Sequence, residues 1–221
     1  DAGVLHADET GWRVQGKPHW LWCFTTRGAT YYMIDRSRGS PALQRFFTSI
    51  FKGVLVTDFW AAYGAVWCAD RQACLAHLLR EIADVDARED SPAWAAFSTK
   101  LKRLLRDGLR LKHREDLNDE VRGRRVRRID QRLTQLVEWQ SEHKQVRRIV
   151  KRLKKHRDAL FTFLDYADVP ADNNHAEREI RPAVMMRKRS QGNRSDSGAH
   201  TQAILTCLPR GGAGRCRSIG P

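Results

Sequence analysis

Residues 53–58, GVLVTD, form an apolar run that ends on a carboxylate, and the reading of the fold turns on them. Four apolar or β-branched residues between Gly53 and Asp58 read as a continuous strand over 54–57, of the kind a parallel sheet buries on both faces. Immediately upstream, Pro41 opens a helical stretch in which Leu43, Phe46, Phe47 and Ile50 share one face, and Gly53 stops it. Before that helix come two stretches rich in aromatic and β-branched residues, 19–25 (HWLWCFT) and 30–34 (TYYMI), divided by the turn signal Arg27-Gly28. A shorter apolar run, 4–8, precedes them across the break Gly16-Lys17-Pro18. Three strands so close in sequence form an antiparallel meander. A strand, a crossover helix and a further strand then set 54–57 parallel to its neighbour. A second helix is expected from about Arg71 to Val85, with Leu75, Leu78, Leu79 and Ile82 as its buried stripe.

The rest of the chain frames this α/β start. Its 221 residues (25.5 kDa) are 41% apolar, with seven Trp and eight Phe, which is enough for a real core and excludes wholesale disorder. Forty Lys and Arg against 26 Asp and Glu give a net charge of +14, an excess suited to a polyanionic partner. No apolar run reaches membrane-span length and no signal peptide is evident, so the expectation is a cytoplasmic protein associated with the nucleoid, with no membrane partner. Five scattered cysteines (Cys23, Cys68, Cys74, Cys207, Cys216) do not make a disulfide framework.

From Ser91 to Asp165 the composition changes. Three helical patterns follow one another: Trp94/Phe97/Leu101/Leu104, Val126/Ile129/Leu133/Leu136 and Val146/Ile149/Leu153/Leu160/Leu164. This stretch holds 21 Lys and Arg against 10 Asp and Glu, and reads as an all-helical insertion with a basic outer surface; the alternative is a solvated, charge-laced bundle without a ligand. Pro170 ends it. Residues 172–181 read as a short helix closed by Pro182, and 209–221, with four Gly and no hydrophobic period, as a flexible tail. The expected division is thus 1–90, a basic helical insertion 91–168, a closing segment 169–206, and an atypical tail 207–221.

Asp8 and Asp58 fall at or near the ends of strands 50 residues apart, and parallel pairing of those strands brings the two together. Adjacent carboxylates repel unless a cation holds them, and hard oxygen ligands favour Mg²⁺ or Mn²⁺. Glu177, 119 residues beyond Asp58, is the candidate third ligand, with Asn173, Asn174 and Arg178 beside it to position phosphate or water. Each has a plainer reading. Asp58 is a common turn residue at a strand end, Asn174–Glu177 fits a capping box, and Glu9 competes with Asp8 although strand alternation points the two to opposite faces.

Longer segments carry a resemblance. LHADETGW (5–12), HWLWCFTT (19–26), YYMIDRSRGSPAL (31–43), GVLVTDFWAAYGAV (53–66), CLAHLLRE (74–81), LFTFLDY (160–166) and DNNHAEREIRPAVMMRKRSQGNRSDSGAHTQAIL (172–205) resemble the catalytic region of the insertion sequence 66 family of DDE transposases. The resemblance implies a ribonuclease-H-like fold: a mixed five-stranded sheet flanked by helices, with an all-helical insertion before the last acidic residue. It also implies that Asp8, Asp58 and Glu177 are catalytic, that they bind Mg²⁺ or Mn²⁺, and that the substrates are DNA transposon ends and a target. A homo-oligomer on DNA and accessory proteins of the same element are the further partners it implies.

Two smaller features belong with these. Cys74 and His77, three apart on the expected helix, are either half of a zinc site or a structural support packed beside the catalytic centre; the second is favoured, since no other Cys/His pair has suitable spacing. The basic segment after Glu177, with Arg178, Arg181, Arg187, Lys188, Arg189, Asn193 and Arg194, is placed to hold DNA phosphates. Trp20/Trp22 and Phe59/Trp60/Tyr63 read as core more readily than as base-stacking platforms. The resemblance stops after Thr206, and relatives carry segments ahead of the catalytic region, so a fragment or a decayed copy is expected. Against a transposase stand two alternatives: a non-catalytic basic DNA-binding protein, and a structure-specific nuclease of the same fold.

Overall fold

The computed structural model describes residues 3–190 and 192–207; the tail expected from residue 207 lies, beyond Cys207, outside them. Residues up to Asp70 together with those from Asn173 form one compact unit, and Arg71–Asp172 form another.

In the first unit, β1 (Val4–Val14), β2 (Lys17–Thr25) and β3 (Thr30–Asp35) form an antiparallel meander. Helix α1 (Ser40–Phe46) leads to β4 (Phe51–Thr57), which pairs parallel to β1 with Val4 opposite Val54 and His6 opposite Val56. With β5 (Cys68–Ala73) the sheet is five-stranded and mixed, in the order β3-β2-β1-β4-β5, which is the ribonuclease-H-like arrangement. Side chains alternate across β1 as a period of two requires. Leu5 and Ala7 face a cluster with Trp22, Phe24, Leu43, Leu55 and Tyr63. Trp12 and Val14 face the opposite cluster, with Leu21, Cys23, Tyr32, Ile180, Ala183 and Ala199. The last three belong to α6 (Asn174–Ser190) and α7 (Asp196–Cys207), which cover that side.

Four expectations are corrected. β1 does not end at Asp8 but runs six residues further, because its pairing with β2 continues to Val14 opposite Lys17. The turn there is tight: Gln15 (φ 53°) and Gly16 (φ 73°) both take the left-handed region that a two-residue hairpin loop matching strand twist demands. Helix α1 stops at Phe46, leaving Ile50 61% exposed, and Gly53 lies inside β4, which starts at Phe51 where its N–H bonds the Trp67 carbonyl (2.9 Å). Residues 68–73 are a strand rather than the start of the next helix, so Cys74 is the N-cap of α2 (Leu75–Asp86) and not a residue within the helix. Finally, α6 does not close at Pro182 but passes through it. Ile180 and Ala183 are buried on either side of the proline, so packing holds the helix together. The carbonyl freed four residues back belongs to exposed Arg178, where water can satisfy it.

The second unit is helical apart from the end of β5. Beside α2 lie α3 (Pro92–Lys112), α4 (Asp119–Val137) and α5 (Lys144–Lys155). Their apolar stripes are buried: Trp94, Phe97, Leu101, Leu104 and Leu105; Ile129, Leu133 and Leu136, with Val126 only half-buried; Val146, Ile149, Val150 and Leu153. The third helix was expected to run on to Leu164, but α5 ends at Lys155, and buried Leu160 and Leu164 stand at the ends of two short 3₁₀ turns, Arg157–Ala159 and Thr162–Leu164. Pro92 sits in the first turn of α3, where no N–H is missed, and Asn118 caps α4 by accepting from the Val121 N–H (2.9 Å). Glu81 of α2 receives both Arg148 and Arg152 of α5. Lys112 closes the end of α3 on three carbonyls, those of Phe163, Tyr166 and Ala167.

Candidate active site

The parallel pairing of β1 and β4 sets Leu5 beside Leu55 and His6 beside Val56. Two residues further along each chain stand Asp8, inside β1, and Asp58, just past the end of β4. The alternation that gathers Leu5 and Leu55 into one cluster directs residues 6 and 8 to the other face of the sheet, the face that α6 covers. Glu177 stands in the first turn of α6.

The start of that helix is fastened to the sheet by side chains whose present roles no local spacing shows. Asn173 is fully buried; its Nδ2 donates to the Ala7 carbonyl (2.8 Å), and its Oδ1 lies 3.0 Å from His6 Nδ1. Its own carbonyl accepts from the Glu177 N–H (3.1 Å). His175 Nε2 reaches the Thr25 hydroxyl (3.1 Å) and the Thr26 carbonyl (2.8 Å), and the Tyr32 hydroxyl donates to the Glu179 carbonyl (2.6 Å). Further along the helix, Arg187 donates to Thr10 Oγ1 (3.1 Å) and to the Gly11 carbonyl. A Cβ at Gly11 would stand 3.3 Å from that guanidinium, so the close approach favours glycine. Asn173 was expected to meet phosphate or water; it is instead a rivet between α6 and the strand that bears Asp8.

The electrostatics report a cluster of like charges. Burial, then the charges of Glu9, Asp58 and Glu177, push the Asp8 carboxyl up from its ordinary 3.8 to about 7, against the lowering effect of the Glu9 N–H, which donates to Asp8 Oδ1 (2.9 Å). Glu9, on the opposite face, has a separate role. Its side chain is almost wholly buried, paired with Arg38 (3.1 Å) and bonded by the Tyr63 hydroxyl (2.6 Å). Burial raises its carboxyl also. The Arg38 guanidinium stacks on the rings of Trp20 (4.4 Å) and Trp60 (4.0 Å), and the Trp60 indole N–H donates to the Arg38 carbonyl (3.1 Å). The Trp60 backbone N–H in turn donates to Asp58 Oδ1 (2.8 Å). So the residues flanking the two aspartates are tied together: Glu9 to Arg38, Arg38 to Trp60, Trp60 to Asp58. Trp22 and Tyr63 are core, whereas Trp60 remains 38% exposed.

The other predicted residues fall into two groups. Arg178, Arg181, Lys188, Arg189 and Arg194 are exposed. Arg178, Arg181 and Arg189 line, with Pro182, Met185 and Met186, a groove of about 450 Å³ along α6. Arg187 and Asn193 are committed to the fold. Asn193 accepts from the Trp12 indole (2.7 Å) and donates to the Gly198 carbonyl (3.1 Å), while its backbone bridges to β1 beside Gly192, whose φ of 117° suits glycine alone. Cys74 and His77 lie in the other unit: Cys74 buried at the N-cap of α2, His77 partly buried in its first turn.

Strand order, parallel β1–β4 pairing and the covering helix define a ribonuclease-H-like α/β protein of the DDE transposase class. The family model described as "Transposase IS66 family" matches residues 1–201, and the chain belongs to that family. It is also similar to an uncharacterized protein, y4jD, of Sinorhizobium fredii: 26% identical over 195 residues, covering 81% of this chain and 38% of that protein. The chain therefore spans less than two-fifths of the length of that relative. Among the described residues, no helix is long and apolar enough to cross a membrane.

Proposed function

We propose that Asp8, Asp58 and Glu177 are the catalytic carboxylates of a DNA strand-transferring site, and that they hold Mg²⁺ or Mn²⁺. The observation that carries this reading is the Asp8 carboxyl. It is buried, raised to about 7, and its neighbours Asp58 and Glu177 both add to the rise. A set of oxygen-only donors that repel one another is the donor chemistry that Mg²⁺ and Mn²⁺ match. The chemistry such a cation supplies when bound is stabilisation of the attacking and leaving oxygens in an in-line displacement at phosphorus.

The chain's own groups do the rest. Asn173 and Arg187 hold α6 against β1, so that Glu177 and Asp8 keep one geometry. The Glu9–Arg38–Trp60 linkage fixes the turn that carries Asp58. Exposed Arg178, Arg181, Lys188, Arg189 and Arg194 bind the phosphates on either side of the scissile bond, with Arg187 and Asn193 setting the segment in place. Cys74 and His77 are placed as structural support at the start of α2. The reaction we assign is hydrolysis of one strand at a transposon end, which leaves a 3′-hydroxyl and a 5′-phosphate, and attack of that hydroxyl on a target phosphodiester, where the new P–O bond replaces the bond to the target's own 3′-oxygen, released as a 3′-hydroxyl. The acting form is a homo-oligomer on DNA, assisted by other proteins of the same element.

The test is nicking of supercoiled plasmid in Mg²⁺ or Mn²⁺ by the wild-type chain and by Asp58→Asn. Loss of nicking by at least about a hundredfold with unchanged DNA binding is expected, since even outer-shell partners of a metal site cost 10–100-fold. Equal nicking by the variant would overturn the assignment. Cleavage of branched DNA without any strand transfer would identify a nuclease of the same fold instead.

A further inference from the structure

Among the described helices, α5 stands out for its charge: its sequence KQVRRIVKRLKK holds seven cations in twelve residues and no acid. Val146, Ile149, Val150 and Leu153 are buried, so the helix has one apolar side already in use. The cations divide by partner. Arg148 and Arg152 are held by Glu81, and Arg147 pairs with Glu142 (3.1 Å). Lys144, Lys151, Lys154 and Lys155 are all exposed and have no carboxylate partner among the described residues. Four like charges gathered within about 18 Å of helix repel one another, and a polyanion relieves that repulsion.

We propose that the exposed side of α5 is a docking surface for the phosphate backbone of duplex DNA, read without regard to sequence and apart from the acidic site. Three features choose this occupant. Stable attachment to a lipid surface needs an inserted apolar face or lipid chain besides basic charge, and the apolar face of α5 is buried in its own unit. A protein partner is recognised through aromatic and apolar anchors, with Lys depleted, and α5 exposes Lys without any such anchor. Single-stranded nucleic acid is gripped by stacking on aromatic rings, and α5 has none. What remains is a row of mobile point charges, which suits closely spaced phosphates, about one per 1.7 Å of duplex axis. The inference rests on the proposed function only in taking DNA as the partner; binding here requires neither metal nor the carboxylates.

The experiment measures affinity of the full chain for a duplex of arbitrary sequence, in EDTA, between 50 and 200 mM salt. The wild type is compared with Lys151→Gln/Lys154→Gln/Lys155→Gln and with a control, Lys17→Gln/Arg36→Gln/Lys52→Gln, which removes the same charge from exposed positions of the other unit. Each released phosphate contact lowers the slope of log affinity against log salt by about 0.9, so the α5 variant should lose about 2.7, an affinity change over this range about 40-fold smaller than that of the wild type. The control should keep the wild-type slope. Equal slopes for all three, or equal losses in both variants, would overturn the proposal, as would a loss of binding to polyglutamate that exceeds the loss for duplex. Because duplex affinity is read in EDTA, without metal or cleavage, and Asp58→Asn is expected to leave that affinity unchanged, failure of either reading is told apart from failure of the other.

Discussion

Asp8 is the residue on which structure and chemistry meet. Its carboxyl titrates near 7 in the fold against an ordinary 3.8, with burial as the largest cause. A carboxyl raised on folding stabilises the protein most below its unfolded value, and that stability is lost as pH climbs through the folded one. Metal-free protein should therefore weaken between about pH 4 and pH 7. Asp8→Asn removes the ionising group, so in EDTA the variant should melt several degrees above the wild type at pH 8, with the gap closing toward pH 4. Thermal melts across that range check it, and a gap constant with pH would speak against the buried, repelled carboxylate. At this scale the sequence was partly legible. The 50-residue interval between the aspartates is also the register offset between β1 and β4, so a correct parallel pairing brings them together. Asn173, Glu9 and Arg38 were not legible in their present roles, because each acts through partners 29 to 167 positions away, beyond any local spacing rule.

Among the elements, the strands and helices with a strong period were readable and those shaped by tertiary contact were not. The meander, the parallel strand and the three helices of the basic stretch follow from alternation or from three- and four-residue steps, except that the third helix ends at Lys155 instead of running on to Leu164. β5 (CADRQA) has no β-branched residue and a weak pattern; it is an edge strand that takes its form from β4. Helix α6 defied its proline because Ile180 and Ala183 bury on both sides of it. Proline inside a helix costs about 3 kcal/mol relative to alanine when nothing else changes. Pro182→Ala restores an N–H that can reach the Arg178 carbonyl, so it should stabilise the chain by about 1–3 kcal/mol, measured by urea unfolding. Unchanged or lower stability would contradict this account of the proline.

For the molecule as a whole, the charge of +14 is not spread evenly: α5 concentrates exposed lysines, and the exposed face of α6 carries arginines beside the acidic cluster. A polyanion is thus attracted both to the helical unit and to the sheet unit, while three carboxylates interrupt the positive field where the chemistry is assigned. That interruption is the centre of the account. The most direct test is a Mn²⁺ titration at pH 8, followed by electron paramagnetic resonance, of the wild type and of Asp8→Asn, Asp58→Asn and Glu177→Gln. The wild type should take up Mn²⁺ and each variant should bind it at least about tenfold more weakly. A variant that binds Mn²⁺ as tightly as the wild type would contradict the claim that these three side chains share a cation.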